Sequence, residues 1–133
     1  INDVVVGQSA RLVEPTVVEG RAALPYAAEA PFHGGMVDAL FSAGARPVVI
    51  ANTLAITTDD ALATKLGVFA PVEHLEAFAV ARTCQALGLP CAIALGIANI
   101  VGSKGREQWR ANHVQASAKA ADVAFKALAA LCV

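Results

Sequence analysis

The stretch PVEHLEAFAVARTCQALGLPCAIALGIANIVG, residues 71–102, decides how this chain is organised. Pro71 stands where a first helical turn tolerates proline, since its missing N–H would have no partner there anyway. Apolar positions then recur to Leu87, and Gly88 is a natural stop. The spacing predicts a helix over about 71–87. Pro90 leads into CAIALGIANIVG, an apolar run bounded by proline and by the polar Asn99 and Gly102, which is a buried-strand signal. A helix followed at once by an apolar strand is the repeating unit of layered α/β structures. The same stretch places Glu73 and Glu76 in the predicted first helical turn and Asn99 at the predicted strand end.

Upstream the pattern repeats. Val4, Val5 and Val6 form a short buried-strand signal after Asn2 and Asp3. Residues 14–31 carry Pro15, Pro25 and Pro31 and are expected to be a long irregular connection. Gly34 and Gly35 precede a helix whose Met36, Val37, Leu40 and Phe41 share one stripe, with Gly44 as its stop. Pro47 opens VVIANTLAIT, a β-branched run suited to a buried strand. Thr58 or Asp59 can cap a helix starting near Ala61. Downstream, Val114, Ala118, Ala121, Phe125 and Leu128 give a 3–4 apolar stripe to one long helix over 106–131. The order strand, loop, helix, strand, helix, strand, helix predicts one α/β domain over 1–133, a largely parallel or mixed sheet flanked by helices. In such sheets ligands gather where strands end and helices begin.

Composition narrows the class. Of 133 residues 56% are hydrophobic and 16% charged, against a usual charged share of about 25%. No apolar run reaches the ~18 residues of a membrane span. With a net charge of -1 there is no basic stripe, so a nucleic-acid partner is not expected. Cys84, Cys91 and Cys132 have no metal-type spacing and read as free thiols in a reducing, cytoplasmic compartment. No secretory signal is visible. Neither a cofactor nor a metal is expected, and His33, His74 and His113 lack ligand spacing. The surplus of Ala and Val points to an apolar face and a homo-oligomer, most simply a symmetric dimer. The chain opens on INDVVV without Met, as a piece of a longer protein or one of two chains would.

Two readings stand for Glu73 and Glu76. Carboxylates in a first turn complement the positive end of the helix dipole. Alternatively, they clamp neighbouring hydroxyls of a ribose, because one carboxylate accepts two hydrogen bonds at once, with Leu75 between them as an apolar floor. Phe69 stacks on a base or belongs to the core. Phe78 has the same two readings, with the core favoured. His74 is a general acid–base candidate or a packed side chain. Trp109, after the loop Gly102–Arg106, shields a bound base or anchors the last helix, with the anchor favoured. GSKGRE lacks the spacing of a phosphate-binding P-loop.

VEHLEAFAVARTC, residues 72–84, resembles the V-E-x-M-E-x-x-A-x-A stretch of the nucleoside phosphorylase and nucleosidase superfamily. GLPCAIALGIANIVGSKGREQW, residues 88–109, is similar to the G-[VI]-P strand that follows it there and ends in R-x-I-S-[DN], and is most like futalosine hydrolase, the menaquinone-pathway nucleosidase. INDVVVG and IANTLAITTDD resemble two further strands of that superfamily. The resemblance implies cleavage of the N-glycosidic bond of a purine-like nucleoside. Glu76 would hold the ribose hydroxyls, Leu75 would stand in place of Met beneath the sugar, and Asn99 would contact N7 of the departing base. Leu95 stands where the family has Arg, and Ala98 where it has Ser. The resemblance covers the C-terminal portion of the family, so a partner chain would supply the missing half, with its phosphate or water site and the acid that activates water. The rival expectation is a non-catalytic nucleoside-binding or oligomer-forming subunit.

Overall fold

The computed structural model describes residues 1–131. Its order is β1 (Val4–Leu12), α1 (Pro15–Val18), β2 (Glu29–Pro31), α2 (Gly34–Ser42), β3 (Arg46–Asn52), α3 (Asp60–Gly67), β4 (Val72–His74), α4 (Ala77–Ala86), β5 (Ala94–Gly96) and α5 (Gly105–Leu131). The strands form a mixed sheet in the order β2-β1-β3-β4. β3 runs parallel to β1, with Val5 opposite Arg46 and Leu12 opposite Asn52. β4 runs parallel to β3, with Ile50 opposite Val72 and Asn52 opposite His74. The other edge of β1 is shared: β2 takes Ser9–Arg11 and β5 takes Val4–Val6, both antiparallel. A register shift between Gly7 and Ser9 separates the two pairings along the strand.

Alternation along β3 feeds two cores, because successive side chains point to opposite faces. Val48 and Ile50 join Val5, Val6, Phe32, Val37, Leu40, Ala77, Ala81 and Ala127 beneath α2, α4 and α5. Val49 and Ala51 join Val13, Leu62, Leu66 and Ala70 beneath α3. The α/β architecture expected from the alternation is therefore present, with helices on both faces.

Four local expectations are corrected. The connection over 14–31 is irregular in the main but holds the single turn α1 and the strand β2. The apolar run after Pro47 leaves the sheet at Asn52, because the Asn52 side chain and the Thr53 N–H turn to the β4–α4 junction. The helix expected from Pro71 begins only at Ala77, since Val72–His74 is drawn into the ladder beside β3. The stripe Val114, Ala118, Ala121, Phe125 and Leu128 lies outward, Val114 at 72% and Phe125 at 70% exposure. α5 packs inward through Ala116, Val123, Ala124 and Ala127 instead. The reason is close approach: a Cβ at Gly96 would strike the Ala116 backbone, so β5 and α5 meet without room for large side chains.

Candidate functional site

The end of β3 builds the first half of the site. Asn52 is 3% exposed, and its amide both donates and accepts, as only Asn or Gln can. Its Oδ1 accepts from the Phe78 N–H at 2.8 Å, and its Nδ2 donates to the Leu75 carbonyl at 2.9 Å and to its neighbour's at 3.2 Å. The Thr53 N–H donates to the His74 carbonyl at 3.1 Å. Residues 74–78, the junction of β4 and α4, are thereby held from both sides. Beside them the Thr53 hydroxyl is buried without a hydrogen-bond partner.

The two glutamates part company here. Glu73 lies on β4 and not in a helix, which removes the first-turn pairing expected from sequence. Its carboxylate accepts from the Thr57 N–H at 3.1 Å and from the Thr57 hydroxyl at 2.5 Å, fixing the loop after β3. Glu76 is the N-cap residue of α4 but makes no capping bond. That task falls to His74, whose Nδ1 accepts from the Glu76 and Ala77 N–H groups at 3.2 Å each. The same nitrogen lies 3.2 Å from Glu76 Oε2. One ring nitrogen cannot both accept and donate, and with two backbone N–H groups aimed at it we assign it as the acceptor. The contact is then no ion pair, and the Glu76 carboxylate, its side chain 67% exposed, is left uncommitted at the positive end of a helix.

Asn99 lies in the β5–α5 loop, half-buried, its Nδ2 donating to the Ile100 carbonyl at 3.1 Å. The register puts Gly96 beside Val4 and His74 beside Asn52, so the strand ends preceding Asn99 and Glu76 lie at opposite ends of β1. The loop after Asn99 then reaches α3. The Ser103 N–H and hydroxyl donate to the Asp60 carboxylate at 2.8 and 2.9 Å, and those two bonds hold the Asp60 carboxyl below its ordinary range. Asp60 follows Thr57 by three residues, and Thr57 is the partner of Glu73. One segment, 53–60, thus ties the Glu73–Glu76 junction to the loop that carries Asn99. Among the described hydrogen bonds, Glu76 and Asn99 share no partner.

Leu75 is exposed between the two glutamates. Phe69 is also exposed but precedes β4, at the end of that strand away from Glu76. Phe78 packs against the core. Leu95 sits in β5 opposite Val5, and the Ala98 carbonyl accepts from the Asn112 amide. His33 caps α2 by accepting from the Met36 N–H. Trp109 does not anchor α5: it is half exposed and stacks on His113, ring centroids 4.3 Å apart. Among the described residues, no group of three His, Cys, Asp or Glu side chains is placed to hold a metal ion, and no helix is long and apolar enough to cross a membrane. Cys132 lies outside the described residues. The residues the sequence reading missed are Asn52, Thr57, Asp60 and Ser103. Only Asn52 left a signal, a lone amide closing an otherwise apolar strand.

No family model and no curated protein matches the chain. Solved structures do. The methylthioadenosine/S-adenosylhomocysteine nucleosidase of Colwellia psychrerythraea, in complex with adenine, superposes with a TM-score of 0.82 at 19% identity, covering 97% of this chain and 60% of its own. The Neisseria meningitidis nucleosidase of the same kind, bound to methylthio-immucillin-A, gives 0.81 at 20% identity, covering 96% and 62%. Futalosine hydrolase of Helicobacter pylori gives 0.84 at 16% identity, covering 96% and 60%. The chain spans about three fifths of the length of these structures. The mixed sheet, the helices on both its faces and these superpositions together establish that the chain shares the fold of these nucleosidases.

Proposed function

We propose that this chain holds a purine-like nucleoside and takes part in hydrolysis of its N-glycosidic bond, as a nucleosidase of futalosine hydrolase type acting in the cytoplasm. The observation that carries the reading is the contrast between the two glutamates. Glu73 is spent on Thr57, while Glu76 presents free oxygens at a helix start that Asn52 holds rigid. A carboxylate so placed accepts two vicinal ribose hydroxyls and favours the positive charge that develops on the sugar as the bond breaks. Leu75 is the apolar surface beside it, and Phe69 belongs to the binding set only if the segment before β4 turns toward the sugar. Asn99 serves the base. An amide carries no proton to give to N7, so it stabilises the leaving base by hydrogen bonding alone. The role is supported by the Ser103–Asp60 bonds, which tie the loop carrying Asn99 to the segment whose Thr57 holds Glu73.

A second reading is favoured by Leu95 and Ala98, which stand where the resemblance implies Arg and Ser. Here the chain binds the nucleoside as a non-catalytic subunit, and a second copy or a partner chain completes the site. Base release from a panel of adenosine, inosine, methylthioadenosine and futalosine separates the two, read beside calorimetric binding of the same compounds. Release marks the enzyme, and binding without release marks the subunit. Glu76→Gln is expected to weaken nucleoside binding about 10- to 100-fold, the worth of a charge-assisted pair of hydrogen bonds. Unchanged affinity in that variant removes the ribose clamp.

A further inference from the structure

Away from the Glu76 junction, an open concavity of about 430 Å³ lies between the end of α4, the β2–α2 turn and the segment entering β5. Its lining includes His33, Cys84, Gln85 and Cys91. The two cysteines are seven residues apart in sequence, and Gly88, with φ of 67°, reverses the chain between them. Both ends of this short loop are tied. The Cys84 carbonyl accepts from the Leu89 N–H at 2.9 Å, and the Cys91 carbonyl accepts from the His33 N–H at 2.8 Å. Both thiols are free and half-buried, and both line this one concavity.

We propose that Cys84 and Cys91 form a reversible dithiol–disulfide pair, a modification site that peroxide enters through this concavity. The steps balance. The Cys84 thiolate attacks one peroxide oxygen, the O–O bond breaks, and the departing hydroxide takes a proton to become water, leaving Cys84 as its sulfenic acid. The Cys91 thiol gives its proton to the sulfenic hydroxyl as its sulfur attacks the Cys84 sulfur. The S–O bond breaks, a second water leaves, and the S–S bond remains. Two thiols have lost two electrons and hydrogen peroxide has gained them. The assignment of Cys84 as first attacker agrees with the surroundings of Cys91, where burial and the neighbouring Cys84 hold the thiol above its ordinary value and so keep it protonated. The disulfide staples the last turn of α4, the helix capped at Glu76, to the segment that enters β5 and leads on to Asn99.

The test uses the full chain with Cys132→Ser, treated with stoichiometric hydrogen peroxide. Trypsin cuts after Arg82 and Lys104, so both thiols fall in the peptide 83–104. The expected result is loss of two hydrogens from that peptide and of both free thiols in a thiol titration, restored by dithiothreitol. Adding Cys91→Ser is expected to stop the reaction at a Cys84 sulfenic acid, trapped as its dimedone adduct, while Cys84→Ser leaves no such adduct. Circular dichroism confirms that each variant is folded. Disulfides between chains, sulfinic acids on either cysteine without a loss of two hydrogens, or unreacted thiols in a folded protein would overturn the proposal.

Discussion

Asn52 carries more of the site's geometry than either glutamate. It is buried at the end of β3 and satisfies a carbonyl at Leu75 and an N–H at Phe78 with one amide. Truncation strands both partners away from water. Asn52→Ala is expected to cost about 2–3 kcal/mol in urea unfolding, since a buried group left unpaired costs ~1–3 kcal/mol. Asn52→Asp keeps the acceptor for Phe78 but buries a carboxylate against the Leu75 and Thr53 carbonyls, so at neutral pH it is expected to cost at least as much as alanine. A cost of only a few tenths of a kcal/mol for Asn52→Ala would mean that the β4–α4 junction holds without the amide. Local polarity in the sequence placed Glu73 and Glu76 together in one first helical turn, and only the family resemblance gave Glu76 the ribose. Their division into a spent and a free carboxylate came from Thr57, sixteen residues upstream of Glu73, which no local pattern could supply.

At the scale of elements, helix and strand competed over residues 71–76 and the ladder prevailed. Three residues of β4 find parallel partners on β3, and that tertiary gain outweighs a weak local helical preference. α5 shows the reverse limitation. Its length and position were legible, but its apolar stripe pointed to the wrong face, because the inward face is chosen by how closely the helix approaches β5. That closeness depends on Gly96. A methyl group there meets the Ala116 backbone, which has nowhere flexible to go. Gly96→Ala is therefore expected to destabilise by about 1–3 kcal/mol, the usual range for overpacking, measured by urea or thermal unfolding. An unchanged midpoint would show that α5 lifts away freely. Gly102, at φ of 128° against Asp60, holds the other end of that connection in a conformation few side chains adopt.

For the whole molecule, the large exposed apolar side chains Leu54, Ile56, Val114, Phe125 and Leu128 accompany a chain that spans three fifths of its structural neighbours. The proposed association with a second copy or a completing chain predicts a sedimentation mass above that of one chain at micromolar concentration. A single-chain mass across that range would remove the homo-oligomer from the proposal. What the sequence alone determined is the class and the beat of the fold: apolar strands alternating with helices, stops at Gly44 and Gly88, a cap at Thr58 or Asp59, and the residue types at 73, 76 and 99. These follow from period and local chemistry, which act within a few residues. Only the tertiary structure decided which strand takes which edge of β1, which face of α5 turns inward, that Glu73 is consumed while Glu76 is free, and that Cys84 and Cys91 line one concavity. Each of these depends on a contact between segments distant in the chain or reversed by a turn, where close approach and buried hydrogen bonds outweigh local preference.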